Sequence, residues 1–155
     1  MTQPLFELSV ERHIEAPPEI VFKVWTERLE EWWAPKPWTT RIVENDLRPG
    51  GRSAMIMTGP NGETSDMEGV FLEVVPDRSI VFTNAFTVGW IPQAPFMVGC
   101  FTFTPEGTGT RYHAASRHWD ETAHKQHEAM GFAEGWGQVA DQLAELAEAG
   151  ARRSR

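Results

Sequence analysis

The stretch FMVGCFTFTPEGTGTRYHAASRH, Phe96 to His118, holds the pattern on which the fold turns. Apolar residues alternate on both sides of Pro105-Glu106-Gly107, which predicts two strands, Phe96–Thr104 and Thr108–His118, joined by a tight turn. Met97, Gly99, Phe101 and Phe103 then share one face. On the return strand Tyr112, Ala114, Ser116 and His118 point inward, because the alternate set carries Arg111 and Arg117. The same alternation extends backwards through Thr39–Asn45, Arg52–Thr58, Ser65–Val75 and Ser79–Phe86. These runs are separated by the turn formers Pro49-Gly50-Gly51, Gly59-Pro60-Asn61-Gly62 and Pro76-Asp77-Arg78, so neighbouring strands should pair as an antiparallel meander. Ile80, Phe82 and Asn84 fall on one face. Thr87 to Pro95, interrupted by Gly89, Pro92 and Pro95, reads as a loop or flap.

Upstream, Leu5–Glu15 alternates with Phe6, Leu8, Val10 and Ile14 on one side, a half-buried strand. Ala16-Pro17-Pro18 ends it, and Pro18 suits the first turn of a short helix running to Trp25. A second short helix, within Glu27–Trp33, stops at Ala34-Pro35-Lys36-Pro37. Downstream, Asp120 can cap a helix reaching Ala149, in which Phe132, Trp136, Val139, Leu143 and Leu146 recur at spacings of 4, 3, 4 and 3. The expectation is an α+β domain spanning residues 1–155. A curved seven-stranded antiparallel sheet wraps one long C-terminal helix, with two short helices after the first strand. A helix laid across a bent sheet leaves room near one end for a cavity.

Several segments resemble the AHSA1 (activator of Hsp90 ATPase homologue 1-like) family of the START/Bet v 1-like superfamily, whose fold is the helix-grip. They are Ala16-Pro17-Pro18-Glu19-Ile20-Val21-Phe22, Trp32-Trp33-Ala34-Pro35, Leu47-Arg48-Pro49-Gly50-Gly51, Glu68-Gly69-Val70-Phe71-Leu72-Glu73-Val74-Val75-Pro76, Gly109-Thr110-Arg111 and Gly131-Phe132-Ala133-Glu134-Gly135-Trp136. The resemblance covers nearly the whole chain. Its superfamily includes lipid carriers, hormone receptors, polyketide cyclases and cochaperones, so it implies a fold and a hydrophobic pocket more than one activity. The eukaryotic cochaperones carry an additional N-terminal domain, for which this sequence has no matching residues. The family pattern places the positions of Ser53 and Met57 inward, and Met55 with them.

Candidate cavity walls are Trp33, Trp38, Met55, Met57, Phe71, Phe82, Phe101, Phe103 and Trp136. Phe71 competes for the inner face with Val70, Leu72 and Val74. The polar candidates are Asn84, Tyr112, His118 and Glu128, of which Tyr112, His118 and Glu128 could move protons. On a continuous helix, Glu128 lies within about 40° of the Phe132 and Trp136 stripe while His127 lies about 140° away, which favours the carboxylate.

Composition narrows the function. Fourteen Lys and Arg against 22 Asp and Glu leave a net charge of −8, which argues against nucleic acid and against anionic membranes. No apolar run reaches the roughly 20 residues that membrane insertion requires. The single cysteine, Cys100, and a start without a secretory pattern suit the cytoplasm. His113, His118, His124 and His127 lack the spacing of zinc hydrolases, so no metal is expected. No cofactor is expected either: Gly131, Gly135 and Gly137 lie on a helix, where they permit close packing or a bend rather than phosphate binding. Seven Trp and nine Phe beside one Tyr supply rigid aromatic surface suited to a concave site. The leading reading is binding of a small hydrophobic or amphipathic molecule between sheet and helix. A polyketide cyclase or dehydratase-like enzyme in the same cavity, and a cochaperone or stress-response accessory protein, are the alternatives. A homodimer stays open.

Overall fold

In the computed structural model, which describes residues 6–153, the chain runs β1 (Phe6–Ile14), α1 (Pro18–Glu27), α2 (Leu29–Trp32), β2 (Thr39–Asn45), β3 (Arg52–Thr58), β4 (Thr64–Val75), β5 (Ser79–Thr83), β6 (Phe86–Thr87), β7 (Ile91–Pro92), β8 (Met97–Glu106), β9 (Gly109–His118), α3 (Glu121–Ala129) and α4 (Phe132–Arg153). Leu5, assigned to the first strand, lies outside the described residues. Seven strands form one antiparallel sheet in the order β1-β9-β8-β5-β4-β3-β2. All neighbours are hairpin partners or near-sequential except β1, which returns to pair with β9. No helix among the described residues is long and apolar enough to cross a membrane.

The β8–β9 hairpin sets the inner face as its alternation requires. Phe103 opposes Tyr112, Phe101 opposes Ala114, Gly99 opposes Ser116 and Met97 opposes His118, and all eight are buried. Gly99 leaves no spare volume, since a Cβ there would sit 2.6 Å from the Phe82 ring. The ambiguity over Phe71 is resolved by a bulge. Register shifts between Phe71 and Glu73, so Phe71 is buried and the inner face resumes at Val74.

Two expectations are corrected. β5 stops at Thr83 rather than Phe86. Asn84 turns its amide oxygen onto the backbone N–H groups of Phe96 (2.9 Å) and Met97 (3.2 Å), and the Thr83 hydroxyl donates to the Met97 carbonyl at 2.9 Å. These local bonds divert the chain into the small β6–β7 hairpin, inside the stretch read as a flap. The second correction concerns the C-terminal helix, which is two helices. Asp120 caps α3, accepting from the Ala123 N–H at 2.8 Å, and Gly131 ends it at φ +87°. α4 then restarts at Phe132 with Val139, Leu143 and Ala147 buried. The break resets the helical phase, so faces computed across it do not carry over.

The centre of the grip is filled. Phe101 is sandwiched between Phe82 at 5.8 Å and Trp136 at 5.7 Å, with near-parallel planes. Trp25 and Trp33 pack edge-on against it, and Trp32 packs on both of those rings. Offset stacked and edge-to-face arrangements match the ring quadrupoles, and each fully buried large side chain contributes about 2–3 kcal/mol from area alone. Much of the aromatic surplus is therefore core.

Candidate functional site

Filling the middle displaces the free space towards the open side of the sheet. Two adjoining hollows lie there and share Met67, Phe96 and Met97 as walls. The larger, about 560 Å³, lies over β3, β4 and β5 and is closed by Gln93, Ala94 and Phe96. The smaller, about 300 Å³, lies between Met57, Met67 and the bend joining α3 to α4.

Among the sequence-derived candidates, Met55, Phe82 and Asn84 line the larger hollow, and Trp33, Met57 and Trp136 line the smaller. Strand parity brought the methionines here. Asn84 reaches the wall, although its amide oxygen is occupied by the Phe96 and Met97 backbone, which it positions. Phe71, Phe101 and Phe103 are in the packed core, and Trp38 is half-buried beside Gly59, so none of these four lines either hollow.

The proton-transfer candidates separate more sharply. Tyr112 is 1% exposed, packed on Phe103 away from both hollows, and burial pushes its phenol well above the ordinary range. Glu128 is exposed, contrary to the helical-wheel expectation. His127 instead turns in and is 7% exposed, because Gly131 separates the phase of α3 from the Phe132 stripe of α4. His118 is buried as expected, and it meets His127 rather than Glu128.

These two histidines form a compact polar cluster with Ser116. His118 Nε2 and His127 Nδ1 are 2.9 Å apart, and Ser116 Oγ lies 3.1 and 3.2 Å from those same nitrogens. His118 Nδ1 donates to the Phe6 carbonyl at 2.8 Å. Phe96, Phe132 and Trp136 surround the His127 ring at 5.1, 5.0 and 5.8 Å between centroids. Desolvation, then the neighbouring His118 and His124, lower the His127 pKa to about 4, so its ring is neutral at physiological pH. Sequence reasoning missed His127 together with Met67, Phe96 and Met97. The signal for His127 was present in Met130-Gly131-Phe132, since a glycine after a helical run commonly marks the end of a helix.

Charge is distributed unevenly around the hollows. Asp66 and Glu68 edge the larger one, and Arg52 holds Glu68 below the usual carboxylate range through a two-pronged pairing at 2.8 and 2.9 Å. Among the described residues, no Lys or Arg lines either space. Burial raises the Cys100 thiol, the opposite of nucleophile activation. No group of three or more His, Cys, Asp or Glu among the described residues is placed to hold a metal ion.

Comparison with known proteins agrees with this architecture. The family described as activator of Hsp90 ATPase homolog 1-like protein matches residues 15–148. A crystal structure of a Nitrosomonas europaea protein is similar at 36% identity and TM-score 0.84, covering 90% of this chain and 92% of that one. A Mycobacterium smegmatis protein is similar at 26% identity and TM-score 0.78, covering 93% and 95%. A family protein from Silicibacter pomeroyi is similar at 25% identity and TM-score 0.71, covering 91% and 97%. No curated protein matches the sequence.

Proposed function

Because the chain belongs to the activator of Hsp90 ATPase homolog 1-like family, whose helix-grip fold generally binds hydrophobic ligands, we propose that it binds a small hydrophobic or amphipathic molecule in the two adjoining hollows. The observation that carries this reading is the continuity of the walls. Spaces of about 560 and 300 Å³ meet across Met67, Phe96 and Met97, within the size range of small-molecule sites. Met55, Met57, Phe82, Trp33 and Trp136 supply apolar surface, and unbranched methionines adapt to guests of different outline.

Native mass spectrometry of protein purified from its own cells tests the reading directly, because a retained molecule appears as added mass. Binding of an environment-sensitive naphthalene sulfonamide dye gives a second measure, in the wild type and in Met67→Trp. The substitution fills the shared wall and should abolish dye binding while preserving the fold. Equal dye binding by both proteins would exclude these hollows as the site.

A second reading, a cyclase or dehydratase-like enzyme, is favoured by one feature: His127 lines the smaller hollow with His118 bonded behind it, and the neutral buried His127 imidazole can accept a proton. Turnover that survives both His118→Asn and His127→Phe would remove it.

A further inference from the structure

His127 has two faces with different chemistry. Its Nδ1 is turned to β9, where it meets His118 Nε2 at 2.9 Å and Ser116 Oγ at 3.2 Å. The Phe6 carbonyl can only accept, so His118 Nδ1 carries the hydrogen of that 2.8 Å bond. Neither ring has a carboxylate partner among the described residues to offset a buried charge, so the 2.9 Å contact between them is one N–H donated to one lone pair. With the His118 hydrogen committed at Nδ1, its Nε2 offers a lone pair, and the single hydrogen of the neutral His127 ring lies on Nδ1, which donates to it. Ser116 does not disturb the assignment, since its hydroxyl donates to Met97 Sδ at 2.9 Å or to His118 Nε2. His127 Nε2 is therefore a bare acceptor. It has no partner among the described residues, and it belongs to a 7%-exposed side chain that lines the smaller hollow.

We infer that this hollow is specific for an uncharged molecule bearing a hydroxyl on an aromatic or alicyclic frame, with the O–H donated to His127 Nε2, and that it rejects carboxylates. The inference rests on the ligand-binding reading above and deepens it. Three observations converge. The unpartnered ring nitrogen of the buried His127 side chain accepts rather than donates. Among the described residues no Lys or Arg lines either hollow to neutralise an anion, while Asp66 at the larger one repels it and Glu68 there is already paired with Arg52. Phe96, Phe132 and Trp136, each within 6 Å of the His127 ring by centroid, form a slot that suits a flat frame. A fatty acid would place its carboxylate against the His127 lone pair, so a greasy tail alone does not make a good guest here.

Isothermal titration calorimetry at pH 8 with three molecules of one frame tests this: 2-naphthol, 2-naphthoate and 2-methylnaphthalene. The wild type should bind 2-naphthol at least about tenfold more tightly than 2-naphthoate. His127→Phe keeps the aromatic slot and removes the acceptor. It should lose about tenfold for 2-naphthol and nothing for 2-methylnaphthalene, and His127→Gln, whose amide oxygen can accept, should recover part of the loss. Equal or tighter binding of 2-naphthoate, or unchanged 2-naphthol affinity in His127→Phe, overturns the inference while leaving the ligand-binding reading intact. Failure of all three molecules to bind the wild type counts against both. Should His127→Phe not fold, the wild-type ratio of 2-naphthol to 2-naphthoate decides alone.

Discussion

Acid should destabilise this protein through His127 in a window that can be calculated. The ring sits at about 4 in the folded chain against an ordinary 6.5. Below pH 6.5 the unfolded chain takes up a proton that the folded chain refuses, so stability falls from there and the loss is complete near pH 4. At about 1.4 kcal/mol per pH unit the displacement is worth about 3 kcal/mol, a large part of the stability of a domain this size. His118 and His124 face the ring and oppose its charge. Glu31, Glu68 and Glu106, held below their ordinary range by Arg28, Arg52 and Arg111, also lose stabilisation in acid, though at lower pH. They are common to wild type and variant and cancel in a comparison. Urea unfolding followed by tryptophan fluorescence at pH 8, 6, 5 and 4.5 is the assay, with wild type beside His127→Phe. At pH 8 the variant, lacking the bond from Nδ1 to His118, should be about 1 kcal/mol less stable. At pH 4.5 the order should reverse, the variant being more stable by about 1–2 kcal/mol. Curves that stay parallel from pH 8 to 4.5 would refute the claim that a neutral, desolvated imidazole sits at this place.

Gly131→Ala should cost about 1 kcal/mol, because φ is +87° while an added Cβ meets nothing within 4 Å, so the penalty is conformational alone; a thermal melt equal to wild type would contradict the break between α3 and α4. Gly99→Ala drives a methyl to 2.6 Å from the Phe82 ring and should destabilise by about 1–3 kcal/mol, with weakened dye binding because Phe82 walls the larger hollow. Phe101→Ala empties the slot between Phe82 and Trp136 and should cost about 3–5 kcal/mol by urea titration, with loss of near-ultraviolet dichroism from the stacked rings.

The sheet was legible because its signals are short-range. Alternation with period two, interrupted by proline and glycine turns, places β2, β3, β8 and β9 within two residues of where they lie, and the facing of Tyr112, Ala114, Ser116 and His118 follows from the arginines that must reach water. The short helices and their proline boundaries were readable for the same reason. The bulge at Leu72 and the early end of β5 were not, since each depends on what lies across the chain: a partner strand for one, and the Phe96 and Met97 amides bonded to Asn84 for the other.

The composition foretold abundant aromatic surface but not its division between core and wall. That division is a matter of packing. Phe101 and Phe103 fill the grip, so the free volume opens beside Met67 and Phe96, with Phe82, Trp33 and Trp136 the expected rings that still wall it. The polar centre depended even more on three dimensions. His118 and His127 come from a strand and from a helix, and they meet because one glycine with positive φ rotates α3 independently of α4. Periodicity read along a chain can assign faces only within an unbroken element; the relation between elements is set by how their side chains pack, and that is where the hollow and its histidine acceptor arise.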